Sequence, residues 1–238
     1  MKSSLSFPDS VPSHLSSQRG SGIFIILIAI VLFAALTYAV SRSSSGGKNL
    51  DHEKTIMAAT EILDTGNRLA ETVSVLRLHG TGDAEFSFEY NSTYVNAGCL
   101  DETCKIFSFD GGGLDWETPT AGVNGGEDWA YTGDIAVENL GTSAADLVAI
   151  LPGLSEAVCH RINVMLGIEA EVDTPPAMIA FSASQFTGTY NAVPVDMNLA
   201  ILSSQKSGCF STPSLTGTVV ASPPLTNTHV FYQVLRAR

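Results

Sequence analysis

Residues 22–40 read GIFIILIAIVLFAALTYAV, 19 side chains without a charge or a proline. As a helix rising ~1.5 Å per residue, the run measures just under about 30 Å, one hydrocarbon core. It is apolar on every side, which an amphipathic surface helix is not. It is longer than the ~7–15 apolar residues of a cleaved signal peptide, and Thr37-Tyr38-Ala39 matches a small-x-small cleavage site only loosely. The run is therefore expected to cross a membrane once, with Tyr38 at the interface. Lys2 and Arg19 precede it and Arg42, Lys48 and Lys54 follow it, so the positive-inside count does not orient it. The load on each side does: a short Ser- and Pro-rich tail lies before the run, and all four cysteines lie after it. The N-terminus is placed in the cytoplasm and the remainder outside, with membrane lipid as the first partner.

Charge supports an exterior head. Of 24 acids only Asp9, and of 12 bases only Lys2 and Arg19, lie before the run; the remainder carries 23 acids and 10 bases, a net of −13. Such a surface repels phosphate backbones, which excludes nucleic acid as a partner. Cys99, Cys104, Cys159 and Cys209 form an even set in an export context. Of three possible pairings, Cys99 with Cys104 closes a short local loop and leaves Cys159 for Cys209; that pairing is expected. Zinc is the rival, but His160 adjoins Cys159, and neighbouring side chains on a helix point ~100° apart.

The organisation reads as a leader (1–21), the membrane helix (22–40), a linker and amphipathic helix (41–82) and a head (83–238). SRSSSGG at 41–47 is a flexible break. Over 50–78, Ala59, Ile62, Leu69, Val73 and Leu76 recur at helical spacing, and His79-Gly80-Thr81-Gly82 stops the helix. Residues 85–90 and 105–109 alternate like strands, 110–133 is a Gly- and acid-rich loop, and 134–137 is a strand. Ser143-x-x-Asp146 has the capping-box pattern and predicts a short helix over AADLVAIL. Leu154, Val158, Ile162 and Met165 predict another helix; 178–238 reads as β structure, with 229–235 its best strand. The fold class expected is α+β: a long N-terminal helix, half membrane-spanning and half amphipathic, on a mainly antiparallel sheet.

No GxSxG, HExxH, phosphate-binding loop or dinucleotide fingerprint occurs, and His14, His52, His79, His160 and His229 are scattered. An enzyme is not expected. The acidic stretch Asp101, Glu102, Asp110, Asp115, Glu117, Glu127, Asp128 around Gly111–Gly113 offers oxygens for calcium, although the spacing is not that of an EF-hand; Asp110, Asp115 and Glu117 are the candidate ligands. No other cofactor is expected. Trp116 and Trp129 flank this loop, and Asn91-Ser92-Thr93 fits a glycosylation acceptor.

The layout resembles a type IV pilin or a type II secretion pseudopilin. A short polar leader ends in glycine at Gly20 or Gly22, an apolar helix begins at once, and an α/β head follows. LPGLSEAVCHRIN, with Cys209 near the C-terminus, is similar to the disulfide-bounded region of type IVb-like pilins. The resemblance implies cleavage by a prepilin peptidase after Gly20 or Gly22, and assembly with like subunits into a filament. These families usually carry Glu five positions after the cut; here Ile25 or Leu27 stands there, which fits a minor or tip subunit better. Two other functions compete: a membrane-anchored extracytoplasmic binding domain for carbohydrate or protein, and an anchored hydrolase.

Overall fold

The computed structural model describes residues 21–43, 46–169, 174–220 and 223–238, with side chains in the first helices at 22–38 and from Leu50 onward. The leader, Gly20 and part of the 41–47 break lie outside these residues. Contacts divide the chain into two compact units, Met1–Leu50 and Asp51–Arg238.

The first unit contains helix α1, Ser21–Ser43. Among the described residues no helix is long and apolar enough to cross a membrane. The single-pass transmembrane helix expected over 22–40 is corrected accordingly. So is the cell-membrane localisation that depended on it. The two disulfides described below do fit an oxidising exterior.

The second unit starts within α2, Gly46–Leu78. Ala59, Ile62, Leu69, Val73 and Leu76 are buried along one stripe. The helix ends in a Schellman arrangement: Thr81 N donates to Leu76 O and Gly80 N to Arg77 O, with Gly80 at φ 103°.

Six strands follow: β1 Ala130–Val137, β2 Asp146–Leu154, β3 Phe181–Ser182, β4 Val195–Met197, β5 Ser207–Thr216 and β6 Leu225–Arg236, with helix α3, Glu156–Met165, after β2. Ser155 caps α3 by accepting from Val158 N. The strand order is β3-β5-β6-β2-β1-β4. The four central strands pair antiparallel, but β4 joins β1 and β3 joins β5 in parallel. The expected fold, a half membrane-spanning helix on a mainly antiparallel sheet, is thus corrected to a mixed six-stranded sheet with, among the described residues, no helix long and apolar enough to cross a membrane.

The sheet is curled. Tyr131, Ala149, Gln233 and Ser207 share a row across β1, β2, β6 and β5. Thr216 lies nine residues beyond Ser207, about 30 Å along a straight strand. Yet Ala183 N donates to Thr216 O and Phe186 N to Tyr131 O. Three residues reach at most about 11 Å, so the β5 end bends round toward β1.

Both faces of the sheet are covered. Leu147, Ala149 and Leu151 of β2, with Phe231 and Leu235 of β6, join the α2 stripe and Ile162 of α3 in one core. Val148, Ile150, Val230, Tyr232 and Val234 form the other with Phe181, Phe210 and Leu215. Every member of either core lies between Ala58 and Leu235, so the unit Asp51–Arg238 carries a complete interior of its own. This two-sided burial explains the chief local error in the sequence reading. AADLVAIL was expected to be a capped helix, but its apolar run is β2, a strand buried on both sides, which periodicity cannot tell from a buried helix. Residues 85–90 and 105–109 are not strands either; they supply single bridges, Ser87 to Lys105 and Tyr90 to Thr93. Their aromatics Phe86 and Phe88 are nonetheless buried.

Cys99 bonds Cys104 across 5 residues, and Cys159 bonds Cys209 across 50, joining α3 to β5. Chain-entropy arguments give the longer loop about 4 kcal/mol and the shorter about 2 kcal/mol. Replacing Cys159 and Cys209 together by Ser is therefore expected to lower stability by roughly twice as much as replacing Cys99 and Cys104, read from urea midpoints. Gly66 lies so close to the sheet that an added Cβ would stand 3.1 Å from the Phe231 ring. Gly66→Val is expected to cost about 1–3 kcal/mol, measured by thermal unfolding.

Candidate functional site

The loop before β1 is pinned to the bend that ends β2. Asn124 Nδ2 donates to Glu127 O at 2.7 Å and to Pro152 O at 3.0 Å. Gly125 N donates to Gly153 O at 2.9 Å, and Gly153 N to Thr228 Oγ1 at 3.1 Å. The Glu127 carboxylate rests against the bare Cα atoms of Gly125 and Gly153. A Cβ at Gly153, whose φ is +78°, would collide with Glu127 Oε2, and one at Gly125 would come within 2.7 Å. No side chain but hydrogen fits there. Oε2 is itself buried and has no hydrogen-bond partner among the described residues.

This carboxylate borders a cavity of about 550 Å³, walled by Tyr90, Tyr94, Asp128, Trp129 and Gln185, with Val219 and Pro223 on another side. Among the described residues no Lys, Arg or His is in the wall. Tyr90 stacks on Trp116, with ring centroids 3.6 Å apart, and Trp129 meets Phe231 edge-on. Burial raises the Tyr90 phenol, and the neighbouring Asp128 carboxylate raises it further. Tyr94, buried, accepts from Tyr131 N at 3.4 Å. Its phenol is pushed up to about 12, chiefly by burial. The site is thus an aromatic and acidic recess that attracts cationic or hydroxylated ligands.

The residues singled out from sequence are dispersed. Asp110, Asp115 and Glu117 are exposed. Among the described residues no group of three or more His, Cys, Asp and Glu is arranged to hold a metal. Asp115 and Glu117 instead border a smaller recess of about 160 Å³ beside Glu61, Arg68 and Trp116. All four cysteines are in disulfides, so none ligates a metal. His160 Nδ1 lies 2.8 Å from Glu169 Oε2, and Asn163 holds the same carboxylate at 2.7 Å while bonding both Cys209 N and Cys209 O. That buried network braces the disulfide between α3 and β5. Gly22 lies in α1 with open space around it.

Trp116 and Trp129 do meet the recess, through a stack and as a wall. Tyr90, Tyr94 and Gln185 were missed. They come from distant segments and carry no motif. The Gly125-Gly126-Glu127 and Pro152-Gly153 turns were the available signal, since glycines facing one another across a fold leave room for a carboxylate.

Comparison with known proteins gave no match: no family model, no characterised sequence and no solved structure is similar to this chain.

A phenol raised by folding stabilises the fold at neutral pH and loses that contribution as pH climbs from its ordinary value near 10 through the folded value. For Tyr94 that window runs from about 10 to about 12. Stability measured by urea titration is expected to fall across the part of this window that can be reached, and Tyr94→Phe to make the fall shallower.

Proposed function

We propose that this chain is a pilin-like or pseudopilin-like structural subunit of a type IV pilus or type II secretion-like filament. The observation that carries this reading is the surface of α1. Ile23, Phe24, Ile25, Ile26, Leu27 and Ile28 are consecutive and all exposed, as are Ile30, Val31, Leu32 and Phe33. At ~100° per residue these side chains cover every side of the helix. An uncovered cylinder of that kind is unfavourable in water, at about 25 cal/mol per Å² of apolar surface. The like helix of a neighbouring copy is equally apolar all round, so helices bundled together cover one another without any special pairing residue. That suits a chain with Ile25 or Leu27 where the related families carry Glu. The amphipathic α2 has its own apolar stripe buried within the unit Asp51–Arg238. A prepilin peptidase would free the helix by cutting after Gly20 or Gly22, leaving Ser21 or Ile23 as the first residue.

The test is assembly of the full chain after co-expression with a prepilin peptidase. Sedimentation and electron microscopy are expected to show polymers. The variant Leu27→Asp with Phe33→Asp is expected to abolish them while the unfolding transition of the head is unchanged. Chains that stay monomeric in both forms overturn the reading.

The Glu127 recess favours a second reading, a binding domain for a carbohydrate or protein ligand. Its aromatic walls and the exposed Asp128 carboxylate are what such ligands contact. In that case residues 51–238 bind immobilised glycans or basic peptides without assembling, and Asp128→Asn weakens binding at least tenfold.

A further inference from the structure

One flank of α2 carries a protruding turn. Phe109 is 96% exposed and Leu100 is 90% exposed, with exposed Asp101, Glu102 and Asp110 beside them. The turn is rigid. The Cys99–Cys104 bond closes one loop of it. Gly112 N donates to Lys105 O, and Gly111 N and Gly113 N donate to Ser108 O. A Cβ on Gly111 would strike Lys105 O, and one on Gly112 would strike Ile106 O and stand 2.5 Å from Thr72 Cγ2. The chain is therefore packed flat on the Thr72 flank of α2, and its largest apolar side chain is held out in water. Lys105 already answers Glu102 at 2.7 Å and Glu89 at 3.3 Å. Asp110 has no ion-pair partner among the described residues.

The opposite flank is complementary. Between α2 and the end of β6 runs a groove of about 720 Å³, with Ala70, Ser74 and Arg77 on one wall. Ala70 and Ser74 stand about 160° round the helix from Thr72. The groove has apolar walls at Leu78, Leu140 and Val234, and three cations, Arg77, Arg236 and Lys206, with no acid among its lining residues. Arg77 and Arg236 share Asp83, at 3.4 and 3.3 Å, so two cations answer one carboxylate, and exposed Lys206 has no ion-pair partner among the described residues. Gln233, more than nine-tenths buried on the groove side of β6, leaves Oε1 without a partner. On a chain of net charge −12 this is a concentrated basic recess.

We infer that the Phe109–Asp110 turn of one copy inserts into the α2–β6 groove of the next, Phe109 against Leu78, Leu140 and Val234, and Asp110 against Lys206. Charge sign, apolar content and concavity match, and the two surfaces lie on opposite flanks of one helix. A contact between different surfaces is heterologous: each copy offers a turn to one neighbour and a groove to another, and growth continues unless rotation closes a ring. The inference deepens the proposed function by naming the contact between heads, and it rests on that reading only for its biological setting.

The test places the photo-crosslinker p-benzoylphenylalanine at position 109, in the full chain and in residues 51–238 at high concentration. Expected crosslinks join position 109 to peptides containing Leu78, Leu140, Lys206 or Val234 of a second copy. Lys206→Glu is expected to cut their yield at least tenfold, and Asp110→Lys in the same chain to restore it; both positions are exposed, so folding is not at stake. Absent crosslinks, crosslinks to other peptides, or no rescue overturn the inference. Polymers of the full chain without groove crosslinks would end this contact and leave the filament reading intact. Groove crosslinks in residues 51–238 with a full chain that never polymerises would do the reverse.

Discussion

The pairing of β2 with β6, buried on both faces, holds the head together. Each strand sends alternate side chains into two different cores, so one backbone ladder supports the helices on one side and the curled strands on the other. A ladder so enclosed has no water to compete for its hydrogen bonds, and every apolar side chain along it removes surface from solvent. Gly66 lets α2 come close enough to this ladder to touch Phe231. The Cys159–Cys209 bond and the Asn163 amide tie α3 to β5, the strand on the other side of β6.

With α2 fixed on the sheet, its two remaining flanks become different surfaces. One receives the disulfide-bounded turn, packed against Thr72 by glycines that tolerate no Cβ. The other stays open along β6 and gathers three of the chain's few cations. Polarity of this kind follows from a helix laid across a sheet: the stripe that faces the strands is used up, and the sides left over see different neighbours. The Glu127 recess arises similarly, where the bend at Pro152-Gly153 leaves room for a carboxylate from the loop before β1.

Several elements were legible in the residues alone. The α2 stripe, the Gly80 stop, the helix around Cys159 and the strand at 229–235 each depend on short-range periodicity or a turn residue, and each survives folding because tertiary contacts agree with it. β2 was not legible, because a short apolar run flanked by a capping pattern suits a helix until a second sheet face is known to cover it. The aromatics of 85–90 alternate as a strand would, yet they are buried by packing and not by a ladder. The span expected at 22–40 was inferred from uniform apolarity, whereas among the described residues no helix is long and apolar enough to cross a membrane. The recess around Glu127 unites segments from Tyr90 to Leu225, and no local spacing announces it.

By itself, the sequence determined that α1 would be apolar on all sides, that the head would be acidic and carry four cysteines, and that α2 would have a buried stripe. These are consequences of composition and of the 3.6-residue period, which act within a few turns of chain. Only the tertiary structure decided that the sheet is mixed and curled, that a carboxylate sits unpartnered between two glycines, and that an acidic knob and a basic groove stand on opposite flanks of one helix. Those features depend on contacts between residues far apart in the chain, where side-chain shape and charge meet only after the backbone has closed.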